Sequence, residues 1–251
     1  MRIVSLCPSV TELVFDLDRG SDLVGITTYC VHPADRVKEI ETVGGTKDPD
    51  VERIIDLEPD IVLLNEEENR REDAERLERA GVHCHVSFPK VVEDTAAFVR
   101  DVGSRLGRTE KAEAIASDIE GRAARVRMTS SSLPEVSWAY LIWRKPWMSV
   151  NSDTFVDGLL RLAGGRNVFG HRSERYPIIS AEDLAQADPD VVLAASEPFP
   201  FQAKHLDELA SASGLSRERF MVVDGEYLSW HGSRTPDGID YAEACLERAR
   251  S

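Results

Sequence analysis

The sequence predicts an α/β fold of two lobes, each built on a parallel sheet, joined by a single long backbone helix. Three observations predict it. Short apolar runs alternate with helix-patterned segments along the chain, which calls for parallel sheets covered on both faces. Between Thr109 and Met128, Ala112, Ile115, Ala116, Ile119, Ala123 and Val126 recur at three- and four-residue steps, one buried helical stripe. Finally, Glu58-Pro59-Asp60-Ile61-Val62-Leu63 is echoed 130 positions later by Asp188-Pro189-Asp190-Val191-Val192-Leu193, and Glu52 by Glu182 at the same offset. The lobes are then residues 1–108 and 131–251, with 109–130 as the connecting helix.

Taken in order, Arg2–Leu6 reads as a buried strand and Pro8–Phe15 as a helix capped by Ser9. Asp22–Thr27 is a second strand, followed by the loop Tyr29–Pro33. Gly44–Pro49 cannot be helical, and Asp50 is placed to cap a helix that carries Val51, Ile54 and Ile55 on one face. Ile61–Leu64 is a strand, Asn69–Ala80 a charged helix stopped by Gly81, and Val82–Val86 a strand. Thr109 can cap the long helix, with Glu110 and Glu113 near the positive end of its dipole, and Pro134 lies beyond its end. At 1.5 Å per residue, some twenty residues make a rod of about 30 Å.

After the rod, Val136–Trp143 is a strand and Asp153–Ala163 a helix closed by Gly164-Gly165. A helix begins at Ser180, a strand runs to Leu193, a helix spans 205–213, and Phe220–Val223 is the last strand. Asp224–Thr235 reads as a loop before a final helix from Pro236 to Arg250.

Composition narrows the function. The 251 residues suffice for two ordinary lobes, and an apolar fraction of 42% supports real cores. A formal net charge of −15 opposes binding to nucleic acid or an anionic membrane surface, since both need a positive field. No apolar run reaches membrane-spanning length, so the chain is not expected to be membrane-embedded. The start offers only Ile3–Leu6, too short for a signal segment. The expectation is a soluble chain, cytoplasmic as written, or periplasmic or extracellular if an export segment was removed. Cys7, Cys30, Cys84 and Cys245 form no C-x-x-C pair and read as reduced structural thiols.

Several motifs carry no chemistry on inspection. In His83-Cys84-His85, strand alternation puts the thiol opposite the imidazoles. Gly44-Gly45 and Gly164-Gly165 lack the third glycine of a dinucleotide fingerprint, and no Gly-Lys-Ser or Gly-Lys-Thr loop exists. Ser233, His231 and Asp237 lack a nucleophile elbow.

Four stretches together carry a resemblance. They are Arg2-Ile3-Val4-Ser5-Leu6-Cys7-Pro8-Ser9-Val10-Thr11-Glu12-Leu13, then Val24-Gly25 with Pro33 downstream. The third is Val51-Glu52-Arg53-Ile54 through Pro59-Asp60-Ile61-Val62, and the fourth Ala163-Gly164-Gly165-Arg166-Asn167-Val168-Phe169. The chain resembles the solute-binding proteins of ABC importers for cobalamin, haem and iron-siderophores, with the cobalamin-binding member the nearest pattern.

The resemblance implies two Rossmann-like lobes of the chelatase-like, class III periplasmic-binding-protein kind. It implies a monomeric protein, not an enzyme, that captures a corrinoid such as cobalamin, or a related metal chelate such as a ferric siderophore or haem, in the cleft between the lobes. The chelate is the ligand, with no intrinsic cofactor. The partner implied is an ABC permease, docked by Glu52 and Glu182. Strand-end loops that match the family's ligand loops offer His32, Trp147, Met148, Tyr176, Trp230, His231 and Arg234. Trp147 and Trp230 are expected to face the ligand, and Arg234 to pair with a phosphate or propionate or to cap the last helix. His32 stands where cobalamin binders have tyrosine. A histidine, His231 or His32, is the candidate metal ligand through the bound chelate. The alternative on the same fold is a cytoplasmic tetrapyrrole- or metal-handling enzyme, or a sensor.

Overall fold

The central strands form where a turn releases a short apolar run, and they are buried because their alternate side chains meet helices on opposite faces. In the computed structural model, which describes residues 1–251, the chain divides into two compact units. The first comprises Met1–Pro89, Asp94–Ser117 and His231–Arg234; the second comprises Lys90–Glu93, Asp118–Trp230 and Thr235–Ser251.

The first unit holds β1 (Ile3–Ser5), β2 (Leu23–Ile26), β3 (Ile61–Asn65) and β4 (Cys84–Ser87), all parallel, in the order β2-β1-β3-β4. Its helices are α1 (Pro8–Asp16), α2 (Val51–Asp56) and α3 (Arg71–Arg79), with most of α4 (Val92–Arg105) and the start of α5 (Thr109–Ser130). Val4, Leu6, Val62 and Leu64 point to one face of the sheet, where they join Val51, Ile54 and Leu77 of α2 and α3 in one core. Asp50 caps α2 as expected, accepting the Arg53 amide at 3.0 Å. Ser9 does not cap α1. Pro8 is the first helical residue, which its fixed φ favours, so Ser9 falls inside the helix.

The second unit repeats the plan. Its strands β5 (Val136–Leu141), β6 (Gly165–Asn167), β7 (Val191–Ala195) and β8 (Phe220–Val223) are parallel and lie in the order β6-β5-β7-β8. Ala139, Leu141, Val192 and Ala194 face Leu184 of α7 (Ala181–Ala187) and Leu206 and Leu209 of α8 (Ala203–Ser213). The other face of β5 carries Trp138 and Tyr140, towards α6 (Phe155–Leu162) and α10 (Thr235–Arg250).

The 130-residue echo is structural as well as sequential. Glu58 and Asp188 both adopt the left-handed conformation, with φ of 46° and 43°, at the turn leaving α2 and α7. Asp60 then accepts the Arg2 amide at 2.6 Å, and Asp190 accepts the Ser137 amide at 2.7 Å, so each carboxylate anchors the start of the neighbouring strand. Asp190 also takes the Ser137 hydroxyl at 2.6 Å, and these bonds hold its carboxyl below the usual aspartate range. Asp190→Ala should therefore cost about 2 kcal/mol in a urea melt, because the Ser137 amide loses its acceptor.

Helix α5 is 22 residues long, about 33 Å. Ala112, Ala116, Ile119, Ala123 and Val126 of its stripe are buried, and Ile115 is half-buried. In the first unit Arg100 of α4 pairs with Glu113 at 2.8 Å and holds that carboxyl down to about 2. In the second, Arg122 and Arg125 pair with Asp240 and Glu243 of α10. No helix is long and apolar enough to cross a membrane.

Three elements depart from expectation. α4 occupies residues to which the sequence analysis assigned nothing. Gly165 does not merely close a helix but opens β6, paired to Val136. The stretch read as a loop from Asp224 contains the one-turn helix α9 (Gly225–Ser229), capped by the Asp224 carboxylate accepting the Glu226 amide at 2.9 Å.

Candidate functional site

At the carboxyl ends of the first unit's strands, two asparagines organise the loops. Asn69 Oδ1 accepts the Asn65 amide at 2.8 Å, while its Nδ2 donates to the Leu6 and Thr46 carbonyls at 2.9 and 3.0 Å. The ends of β1 and β3 and the Gly44–Pro49 loop are thereby tied together. Asn65 Oδ1 in turn accepts the Glu67 amide at 2.9 Å. Beside them, Thr11 Oγ1 lies 3.0 Å from Cys30 Sγ, and Cys7 Sγ lies 3.4 Å from Ser9 Oγ. Burial pushes the Cys7 thiol up to about 12 and raises Cys30 too, so both are inert thiols. Burial likewise raises the Glu68 carboxyl, against the pull of Lys47.

The run His231–Arg234 belongs to this unit. His231 is buried, with Nε2 3.4 Å from Asn65 Nδ2 and its ring edge-on to Phe98 at 5.5 Å. Burial lowers its pKa to about 4, so it is neutral at pH 7. Arg234 makes a two-pronged ion pair with Glu12 of α1, at 2.9 and 2.6 Å. Both residues have internal partners; from the sequence His231, or His32, was the candidate metal ligand, and Arg234 a partner for an anion or a cap of the last helix. The side chains near them also divide: Ser233 lies beside Asp16, and Asp237 pairs with Arg122, so no triad forms. His32 is half-buried, and its loop exposes Tyr29 and Val31 instead.

In the second unit the chain leaving β5 doubles back. The Ile142 amide donates to the Met148 carbonyl at 3.0 Å and the Met148 amide to the Trp143 carbonyl at 3.1 Å. The returning limb then lies against Arg175–Ile179, with the Ser149 amide on Pro177 at 2.9 Å and the Ile179 amide on Trp147 at 3.0 Å. Pairing of Trp143 with Met148, and of Met148 with Ile178, puts these three on one face. Trp147 stacks on Phe201 at 6.0 Å and packs against the core, with the Arg144 guanidinium 5.6 Å from its ring, and Phe201 in turn meets Phe199 at 4.8 Å.

The predicted residues therefore separate. Met148 and Tyr176 are half-buried on this ladder, and Trp147 is half-buried but faces inward. Trp230, expected to face a ligand, is 8% exposed and donates its indole N–H to Glu197 at 2.6 Å. The open aromatic is Trp143, 41% exposed and edge-on to Phe199 at 5.8 Å. Ile178 and Phe199 were not singled out from the sequence, and Tyr29 and Trp143 were not assigned to the ligand. The available signal for Trp143 is Pro146 in the run Trp143-Arg144-Lys145-Pro146-Trp147-Met148, which marks a turn just after the strand.

Glu52 and Glu182 occupy the same position, the second residue of α2 and α7, and both are exposed. Arg76 reaches Glu52 at 3.2 Å. His85 lies 3.3 Å from Asp101 and stacks on Phe98, away from any metal-binding set; no group of three or more His, Cys, Asp or Glu is placed to hold an ion. The arrangement offers planar apolar contact and separated surface carboxylates.

A family model described as periplasmic binding protein matches residues 3–220. Among curated proteins, a vitamin B12-binding protein of Vibrio campbellii is 23% identical over 244 residues, 97% of this chain and 88% of the relative. Among solved structures, the periplasmic vitamin B12 binding protein of Vibrio cholerae aligns with a TM-score of 0.86 at 21% identity, covering 100% of this chain and 98% of that one. A periplasmic haem binding protein from Pseudomonas aeruginosa aligns with a TM-score of 0.82 at 29% identity, covering 97% and 91%.

Proposed function

We propose, because the chain belongs to the periplasmic binding protein family, that it captures a corrinoid such as cobalamin, or failing that haem, and presents it to an ABC permease without chemically changing it. The observation that carries this reading is likeness over nearly the whole chain to proteins named for vitamin B12 and for haem. The exposed Trp143 and Ile178, with Met148 between them, support it, because a broad conjugated ring needs flat apolar contact. The residues of the second unit assigned to the ligand in this reading are those of the Trp143–Met148 turn. The chelate is the cargo and the protein carries no cofactor of its own. In that role it meets its ligand outside the membrane.

Titration with hydroxocobalamin and with haemin, followed by visible absorbance and tryptophan quenching, tests it. Saturable binding of one or the other at stoichiometric concentration is expected, and no spectral change with either removes the reading.

Glu52 and Glu182 are assigned to permease docking. Their support is their equivalent placement at the exposed starts of two equivalent helices, since paired carboxylates fix the orientation of a basic partner and speed encounter. Reversing both, Glu52→Lys with Glu182→Lys, should lower transport about tenfold or more while ligand titrations stay unchanged. Transport equal to wild type would remove the assignment.

A further inference from the structure

We infer that Glu208 of α8, 64 positions beyond Arg144, is a positioning residue: through its ion pair with Arg144 it holds the Trp143–Met148 turn in shape, and so sets how tightly that turn takes its ligand. This rests on the proposed capture of a corrinoid or haem at the turn. Its basis is what the middle of the turn requires. Lys145, at the tip, has a φ of 70°, which a residue with a side chain adopts only at a cost, so the turn keeps this shape only while its neighbours are held.

Arg144 is one such neighbour. Its side chain is 18% exposed, its guanidinium lies 5.6 Å from the centre of the Trp147 ring and pairs with Glu208, and its Nε is buried without an acceptor. Glu208 is therefore the group that balances a largely desolvated cation. Trp147 is the other neighbour, and the same helix seats it. The rings of Trp143, Phe199, Phe201 and Trp147 follow one another at 5.8, 4.8 and 6.0 Å, and His205 of α8 packs on Phe199 at 5.2 Å and on Phe201 at 6.1 Å. His205 and Glu208 are three residues apart, on one face of α8, and His205 is itself fixed because its Nδ1 accepts the Gln202 amide at 3.1 Å.

Without the Glu208 charge, water is what remains to balance Arg144. The guanidinium then turns outward and leaves the Trp147 ring, and Lys145 loses one of its two supports. A loosened turn must be ordered again when a ligand binds, and each side chain so immobilised weakens affinity by about two- to tenfold. Glu208 itself is half exposed, and Leu206 and Leu209 keep α8 on the core, so the fold does not depend on it.

The test is a double-mutant cycle of wild type, Glu208→Gln, Arg144→Gln and the pair. Each is titrated with hydroxocobalamin and with haemin, melted in urea, and followed by NMR for hydrogen exchange at the Ile142 and Met148 amides, which close the turn. Glu208→Gln should weaken binding of whichever ligand the wild type takes by about fivefold and speed exchange at both amides, with an unchanged melt. The double variant should bind no more weakly than Arg144→Gln. Wild-type affinity in Glu208→Gln overturns the inference, as do losses that add in the double variant. A loss confined to Arg144→Gln also overturns it, by placing the guanidinium on the ligand itself. If the wild type binds neither ligand, the reading of function fails, and the exchange rates still judge the hold on the turn: unchanged exchange in Glu208→Gln overturns it, and faster exchange upholds it.

Discussion

Replacing Trp138 by alanine should lower the free energy of unfolding by about 4 kcal/mol, read as a fall in the urea midpoint. The residue is fully buried in the middle of β5, paired to Asn167 on one side and Val191 on the other. Its indole occupies the space above Gly165. A methyl group there would lie 2.5 Å from Trp138 Nε1 and 2.9 Å from Leu246 Cδ1, so the glycine is required by close approach. Gly165→Ala should accordingly be destabilising alone, and much less so in the Trp138→Ala background, where the methyl enters the vacated space. Trp138→Phe should change stability by about 1 kcal/mol or less. The Trp138 indole N–H is buried without an acceptor, so losing it offsets the lost volume. A large loss in Trp138→Phe would mean the N–H has a partner that the geometry does not reveal.

The second large effect is acid lability centred on His231. Its ordinary value of 6.5 is lowered to about 4 by burial, so the folded state favours the neutral ring. Stability from this residue is fully present above pH 6.5. It is lost progressively as the pH falls towards about 4, where the folded state takes up the proton as well. The full loss is about 3 kcal/mol. Buried carboxyls at Asp16, Glu68 and Asp157 are shifted upward and act in the opposite sense over the acidic range. The informative quantity is therefore the difference between wild type and His231→Gln, in urea melts from pH 7 to pH 4. The glutamine variant should be less acid-sensitive than wild type by about that amount. Parallel curves would show that His231 is not the group responsible.

The fold could be read because its signals are local and repeated. The acidic-Pro-Asp turn, the buried strand after it and the polar cap before α2 and α7 each lie within a dozen residues, so composition and spacing suffice. α4 was equally legible in principle, since Val92, Ala96, Val99, Val102 and Leu106 are buried at helical steps. α9 was not, being a single turn that begins at a glycine and depends on one aspartate cap. The loops proposed to hold the ligand were legible only as loops. Which tryptophan of the Trp143–Met148 turn lies open depends on its pairing with Arg175–Ile179, some thirty residues away, and no local pattern encodes that register. His231 and Arg234 find their partners in Asn65 and Glu12, 166 and 222 positions earlier. A sequence read segment by segment assigns such residues to whatever is nearby.

The four-residue return of the chain to the first unit has a genetic consequence. A gene cut within the long helix would yield an N-terminal product deprived of the imidazole over Asn65 and the guanidinium on Glu12, and a C-terminal product with an internal tetrapeptide that has lost its partners. These halves, alike as they are, cannot be traded between relatives as independent cassettes. Recombination that swaps one must carry the distant tetrapeptide with it to keep both contacts.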